Sequence, residues 1–215
     1  HGHHRRQRQM CIRDSACIGQ MTRFTNFLAN EKKVYIAEMK FGFSTDTGDL
    51  DGEIIERINK IPSKTDFKKT LKEFLGRTDQ EAPKFSSLKH KGKPLYFYAR
   101  LNKKVPKKIR PLENSKLELL SVSDDTFKFL IECGKGTYIR SLVRDIAGNL
   151  SCAAVLSKLQ RTISANHSLE DAHEIEDLND KNIKKKIIDM GDALRCIDKI
   201  QCLPEIIAVS YTHLT

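Results

Sequence analysis

Apolar positions recur along the chain with two periods. Between Lys33 and Phe43 they alternate, which is the period of a strand: Tyr35, Ala37, Met39 and Phe41 share one face, and Val34, Ile36, Glu38 and Lys40 the other. Lys116–Val122 and Thr126–Cys133 read as two further strands, joined through Ser123, Asp124 and Asp125 in a hairpin-like connection. Helical spacing takes over elsewhere. Met21, Phe24 and Leu28 align within Gln20–Asn30, and Phe67, Leu71, Phe74 and Leu75 within Thr65–Leu75. Ser63 with Asp66 resembles a capping box before that second helix, and Gly76 is placed as its C-cap. Leu142, Ile146 and Leu150 align within Ser141–Leu150, and Ala153–Leu159 reads as a further helix behind it. Ser44–Gly52 is a polar turn segment and Gly134-Lys135-Gly136 a tight turn. Strands and helices mix without regular βαβ alternation, which predicts an α+β fold. No internal repeat is present.

Size and composition narrow the class. A chain of 215 residues, 39% hydrophobic and 31% charged, can bury a core without staples and is not disordered in character. No run approaches the about 20 apolar residues of a transmembrane helix, and no apolar stretch follows the basic His1–Arg8 as a signal peptide requires. No membrane partner is expected. Cysteines at 11, 17, 133, 152, 196 and 202 form no CxxC and match no zinc spacing, so reduced thiols, several of them buried, are expected.

Charge changes the picture more. The net charge is +10, and Lys84–Arg110 carries ten basic residues and no acidic one, so the remainder sums to zero. The ten are Lys84, Lys89, Lys91, Lys93, Arg100, Lys103, Lys104, Lys107, Lys108 and Arg110, interleaved with Phe85, Tyr96, Phe97 and Tyr98. Basic groups neutralise phosphates and aromatic faces stack on bases, so the stretch reads as a polyanion-binding surface; a solvated face with a few core aromatics is the alternative. Pro83, Pro94, Pro106 and Pro111 argue for a loop-rich arm there. The mixed block Glu170–Lys186 reads as an exposed helix or loop.

Two motif-like segments are rejected. Asp49, Asp51 and Gly52 match positions 3, 5 and 6 of a calcium loop, but Thr47 and Ile58 stand where two key ligands belong. Gly134-Lys135-Gly136-Thr137 is not the GxxxxGK[ST] phosphate loop. Behind it, Tyr138-Ile139-Arg140 lies where a strand gives way to a helix, a place where backbone donors and a guanidinium can hold an anion. Arg140 is otherwise a surface arginine, and Tyr35 otherwise a core tyrosine with its hydroxyl satisfied. The ends, His1–Ser15 and Val209–Thr215, read as foreign to the gene, because MCIRDS and VSYTHLT resemble peptides translated from sequencing adapters. They are left out of the predicted fold, and the chain is then a fragment.

Four ordered segments resemble the tRNA pseudouridine-55 synthase family of the TruB type. They are Cys17-Ile18-Gly19-Gln20-Met21-Thr22-Arg23-Phe24; Lys33-Val34-Tyr35 through Thr45-Asp46-Thr47-Gly48-Asp49 and Asp51-Gly52; Ala82-Pro83-Lys84-Phe85-Ser86-Ser87-Leu88-Lys89 with Gly92, Leu95-Tyr96 and Ala99-Arg100; and Cys133 through Arg140, followed in phase by Asp145 and Leu150. The resemblance runs from about Ala16 to about Thr162. It implies a mixed, mostly antiparallel sheet with flanking helices, residues 16–186 as most of a catalytic domain, and 187–208 as the start of a C-terminal segment.

The family isomerises a T-arm uridine of tRNA to pseudouridine without cofactor or metal. The base is flipped into the site, an Asp nucleophile starts cleavage of the glycosidic bond, and the uracil rotates and rejoins through carbon. By resemblance, Tyr35 packs on the flipped base and assists proton removal. Arg140 pairs with the nucleophile and keeps it ionised, Tyr138 shapes the pocket, and Asp49 lines it. Lys84, Lys89, Lys91, Lys93, Tyr96, Arg100, Lys103 and Lys104 grip the T-arm RNA. The partner is tRNA, the expected state a monomer, and the expected location the cytoplasm, with an organelle as alternative. One departure is large. The family's G-x-L-D-P-x-A-T-G segment, which carries the nucleophilic Asp, is absent from this sequence, so this chain is expected to be inactive as written. A non-catalytic RNA-binding protein on the same scaffold is the alternative. Ala82 for Pro and Gly134 for Ser are lesser departures.

Overall fold

Strand β2 (Lys33–Phe41) lies near the middle of the main sheet, and its alternation divides core from cover: Ala37, Met39 and Phe41 are buried, whereas Glu38 and Lys40 are half-buried. The computed structural model describes residues 10–11 (backbone only), 16–101, 103 and 106–194. The chain divides into two compact units, His1–Glu174 and Ile175–Thr215.

In the first unit a 3-10 turn (Gly19–Phe24) and helix α1 (Thr25–Asn30) lead into β2, where the sequence predicts a single helix over Gln20–Asn30. The main sheet also contains β5 (Gly76–Glu81), β8 (Ile109–Ser123), β9 (Thr126–Cys133) and β10 (Ala154–Ser164). With β1 (Met10–Cys11) at one edge the order is β1-β10-β2-β9-β8-β5, and β11 (His167–Ser168) pairs with β10. All pairings are antiparallel except β1 with β10. A short hairpin of β3 (Phe43–Thr45) and β4 (Ile54–Arg57) stands apart from it.

Helices α2 (Lys64–Glu73) and α4 (Ile139–Asn149) supply the apolar surface that the sheet buries. Phe67 and Leu71 of α2, and Ile139, Leu142, Val143, Ile146 and Ala147 of α4, join Ala37, Met39, Phe41, Phe127, Phe129 and Ile131 in one cluster. Phe67 is fully buried and meets Phe41, Phe127 and Phe129 edge to face, with ring centroids 6.3, 5.0 and 5.7 Å away. Ser63 caps the helix, though without the reciprocal bond of a capping box: the Asp66 N–H donates to Ser63 Oγ (3.1 Å), and the Asp66 carboxylate accepts from Ser63 Oγ (2.8 Å) rather than from the Ser63 N–H. Cys133 closes β9 inside this core. Burial pushes its thiol up to about 11, against the opposing influence of the Thr137 hydroxyl and Lys33. Cys17, Cys133 and Cys152 are free thiols.

The structure corrects several expectations. Ala153–Leu159 is not a helix but the first part of β10. Ala154, Val155 and Leu156 are buried in succession, and a bulge between Leu156 and Lys158 breaks the period of two that marks a strand. Met10–Cys11, left out of the predicted fold, pair with Leu159 and Gln160, because an open strand edge offers backbone groups that a passing chain satisfies. Strands β4 and β5 went unpredicted. Both are polar or exposed, and ladder bonds rather than an apolar face hold them. The basic arm is less loop-rich than its prolines suggest: β6 (Lys89–His90) and β7 (Lys93–Pro94) form a hairpin, and helix α3 (Leu95–Arg100) begins directly after Pro94. Proline is compatible with a helix start, where its missing N–H costs nothing.

The second unit holds, among the described residues, a 3-10 turn (Ile175–Asp177) and short helices α5 (Ile183–Lys186) and α6 (Met190–Ala193). Asp189 caps α6 by accepting from the Gly191 N–H at 2.7 Å. Apart from Met10–Cys11, the foreign-looking ends lie outside the described residues, as do residues 195–208 of the expected C-terminal segment. No helix among the described residues is long and apolar enough to cross a membrane.

Phe67→Ala lowers the unfolding free energy by about 3–5 kcal/mol, whereas Ile55→Ala, at an exposed position, stays within about 0.5 kcal/mol; urea denaturation measures both. Cys133 has a folded-state pKa above its ordinary 9.0, so folding favours the protonated thiol. Its stabilising contribution is whole below pH 9 and is lost as pH rises through about 11. Native-state alkylation at pH 8, read by mass spectrometry, therefore spares Cys133 until the chain unfolds.

Candidate functional site

The loop between β3 and β4 is tied to itself before it is tied to anything else. The Asp46 N–H donates to the Glu53 carbonyl (3.0 Å), and the Glu53 N–H returns to Asp46 Oδ1 (2.9 Å). Inside that closure Thr45 Oγ1 donates to the Asp49 carbonyl (2.6 Å) and accepts from the Gly48 N–H (3.1 Å). Gly48 has φ +76°, a left-handed backbone, and its carbonyl accepts from the Leu156 N–H (3.0 Å), which docks the loop on β10. A Cβ at Gly52 would collide with Thr47 Oγ1 and Asp46 Oδ1, so the loop closes only around glycine.

The product of this folding is a fixed carboxylate. Asp49 Oδ1 accepts from Thr47 Oγ1 (2.6 Å) and the Asp51 N–H (3.2 Å), and Oδ2 accepts from Arg140 Nη1 (3.1 Å). The rejected calcium reading stands beside a carboxylate already engaged on both oxygens. Among the described residues no group of three or more His, Cys, Asp or Glu side chains is placed to hold a metal ion.

Arg140 comes from the first turn of α4, after a turn in which Gly136 takes φ +89° and Thr137 Oγ1 donates to the Gly134 carbonyl (3.2 Å). Its Nη1 also donates to the Thr47 carbonyl (3.1 Å), and its Nη2 to the Phe85 carbonyl (3.0 Å). The Arg140 and Asp49 side chains are only 18% and 16% exposed, so solvent screens the pair weakly. Nε–H and the second Nη2–H of Arg140 bond no acceptor among the described residues, which leaves the guanidinium donors for a further anion.

The other expected site residues are placed less centrally. Tyr138 is the N-cap of α4, half-buried, and its backbone N–H donates to Gln80 Oε1 (2.9 Å). Tyr35 sits on β2 between Ile131 and Arg161 in register and packs against the core. Burial, then the neighbouring Cys133, pushes its hydroxyl up, and Arg161 opposes them. No described hydrogen bond joins Tyr35 to Arg140 or Asp49.

The arm presents its charge outward. Lys84, Lys89, Lys91, Lys93, Arg100 and Lys103 are exposed, and Lys104 lies outside the described residues. Buried Leu95 roots α3, and Tyr96 and Phe97 stand exposed. The arm's own cations cover one side of these rings: Lys93 Nζ lies 4.4 Å from the Phe97 centroid, and the Arg100 guanidinium carbon 5.1 Å from that of Tyr96.

The sequence marks Thr47 only as a rejected calcium position and does not single out the Phe85 carbonyl or Gln80. Thr47 and Phe85 lie in motifs already quoted, but carbonyl acceptors leave no mark on residue type. A polar residue on an edge strand carries no signal of its burial.

Comparison with known proteins takes in the first three segments and the fourth as far as Ile139. The model of the TruB family pseudouridylate synthase (N terminal domain) matches residues 15–139. The tRNA pseudouridine synthase B of Chromobacterium violaceum is 40% identical over 162 residues, covering 75% of this chain and 53% of that protein. That of Francisella philomiragia is 40% identical over 173 residues, covering 80% and 57%. The chain thus spans little more than half the length of these relatives. A solved Cbf5-Nop10-Gar1 complex contains a similar fold, with TM-score 0.68 and 22% identity over 93% of this chain and 54% of that one. An H/ACA RNP bound to a substrate RNA containing 2'-deoxyuridine gives TM-score 0.51 and 21% identity, over 81% and 42%.

Proposed function

The chain belongs to the TruB family of pseudouridylate synthases, and we propose that a protein carrying it together with the family's nucleophile segment converts the T-arm uridine 55 of tRNA to pseudouridine. The observation that carries this reading is convergence on one guanidinium. Arg140, from the fourth family-like segment, bonds Asp49 and Thr47 of the second and Phe85 of the third. Residues 55 to 93 positions apart in sequence meet at a single charged group.

The chemistry assigned to this group follows from its remaining donors. A nucleophilic carboxylate arriving at Nε–H and Nη2–H is held ionised by the adjacent positive charge, which keeps its oxygen available for attack on the glycosidic carbon. Asp49 acts one step back. By occupying Nη1 it fixes which edge of Arg140 faces the incoming carboxylate. Tyr35 packs on the flipped base, and burial, which keeps its hydroxyl protonated, favours that role over proton removal. Tyr138 shapes the pocket wall. Lys84, Lys89, Lys91, Lys93, Arg100 and Lys103 contact T-arm phosphates, and Tyr96 and Phe97 offer base-stacking faces on the sides their cation partners leave open. This chain alone binds the RNA arm without isomerising it.

The test uses tRNA transcripts labelled with tritium at uridine C5, the position that loses its hydrogen when the new carbon–carbon bond forms. The longer protein releases tritium from one T-arm uridine, and Arg140→Ala abolishes the release while RNA binding persists. Normal turnover in Arg140→Ala overturns the assigned role. RNA binding without release by the unsubstituted longer protein favours the non-catalytic alternative. Lys89→Ala and Arg100→Ala each weaken RNA binding and lower the slope of log affinity against log salt by about 0.7–0.9 per lost phosphate contact. A slope that does not move removes that residue from the RNA interface.

A further inference from the structure

The stretch from Gln80 to Phe85 leaves β5 and becomes the root of the basic arm. The beginning of α4 clamps it with four hydrogen bonds. The Tyr138 N–H donates to Gln80 Oε1 (2.9 Å), Ser141 Oγ to the Glu81 carbonyl (2.8 Å), Arg144 Nη2 to that same carbonyl (3.2 Å), and Arg140 Nη2 to the Phe85 carbonyl (3.0 Å). Three of the four end on backbone oxygens, which any residue supplies. Gln80 alone contributes a side-chain acceptor. It is only 4% exposed, an unfavourable place for an amide unless it is bonded, and it lies on an edge strand whose other side chains are mostly exposed or half-buried. Its partner is the N-cap of α4, where no capping side chain is present. Arg140 is two residues further along the same turn.

We propose that Gln80 is a positioning residue for Arg140. Its Oε1 holds the Tyr138 N–H and so fixes the first turn of α4, from which Arg140 projects, against the end of β5, while the other three bonds keep the arm root seated. This rests on the role given to Arg140 above. The residue acts through the helix and touches no reacting atom, so its loss misaligns the guanidinium without removing an RNA contact.

Two substitutions in the longer protein separate acceptor from shape. Gln80→Leu keeps the volume and removes the acceptor. Gln80→Glu keeps an acceptor oxygen, and a carboxylate at a helix N-terminus is itself favourable. Gln80→Leu is expected to lower kcat by about 10- to 100-fold, the scale of a displacement of about 1 Å at a reacting group, with KM for the RNA nearly unchanged. It also speeds exchange of the Tyr138 amide and moves the Arg140 Nε–H resonance. Gln80→Glu retains most of kcat and the amide protection. Wild-type kcat in Gln80→Leu, an equal loss in both variants, or an effect confined to KM overturns the proposal. If the unsubstituted protein forms no pseudouridine, the functional reading fails separately, and the exchange and resonance measurements still decide Gln80. An unchanged Tyr138 amide and Arg140 resonance in Gln80→Leu contradict it.

Discussion

The ion pair between Asp49 and Arg140 is the interaction on which the arrangement of the site depends. Neither partner sits in the hydrophobic cluster, yet both are largely withdrawn from water. A pair so placed is a poor source of net stability, because desolvation offsets its attraction; removing one partner is what costs, since the other charge is stranded. The molecule meets this by over-determining both ends. Asp49 has two further donors and Arg140 two carbonyl acceptors, one of them at the root of the basic arm. A loop, a helix terminus and the basic arm therefore adopt one mutual geometry.

The scaffold beneath that geometry was largely readable in the sequence where an element buries one face. Alternation marks β2 and β9, and spacing marks α2 and α4, because each meets the core along a single stripe. The Ser63 cap, with Asp66 beside it, is local chemistry and is visible for that reason. Strand β10 is misread because a bulge and three successive buried residues hide its period. Strand β5 is held by ladder bonds to β8 and by the clamp at its end, and neither is written in hydropathy.

The candidate site divides in the same way. Arg140 and Asp49 stand out as charged residues in recognisable motifs, but their pairing joins positions 91 apart and depends on tertiary folding. The Thr47 and Phe85 carbonyls are invisible to any reading of side chains. The charge of the arm is plain from composition. Its hairpin, its helix and the cations lying over its own aromatic rings are not, since each depends on how Leu95 and the prolines direct the backbone.

A double-mutant cycle on Asp49→Asn and Arg140→Met, read as unfolding free energy by chemical denaturation, addresses the pair directly. A coupling energy of about 1–3 kcal/mol is expected for charged groups sharing one network. Additive effects, within about 0.5 kcal/mol, would mean that the two side chains do not hold each other, and the convergence of loop, helix and arm on Arg140 would lose its basis.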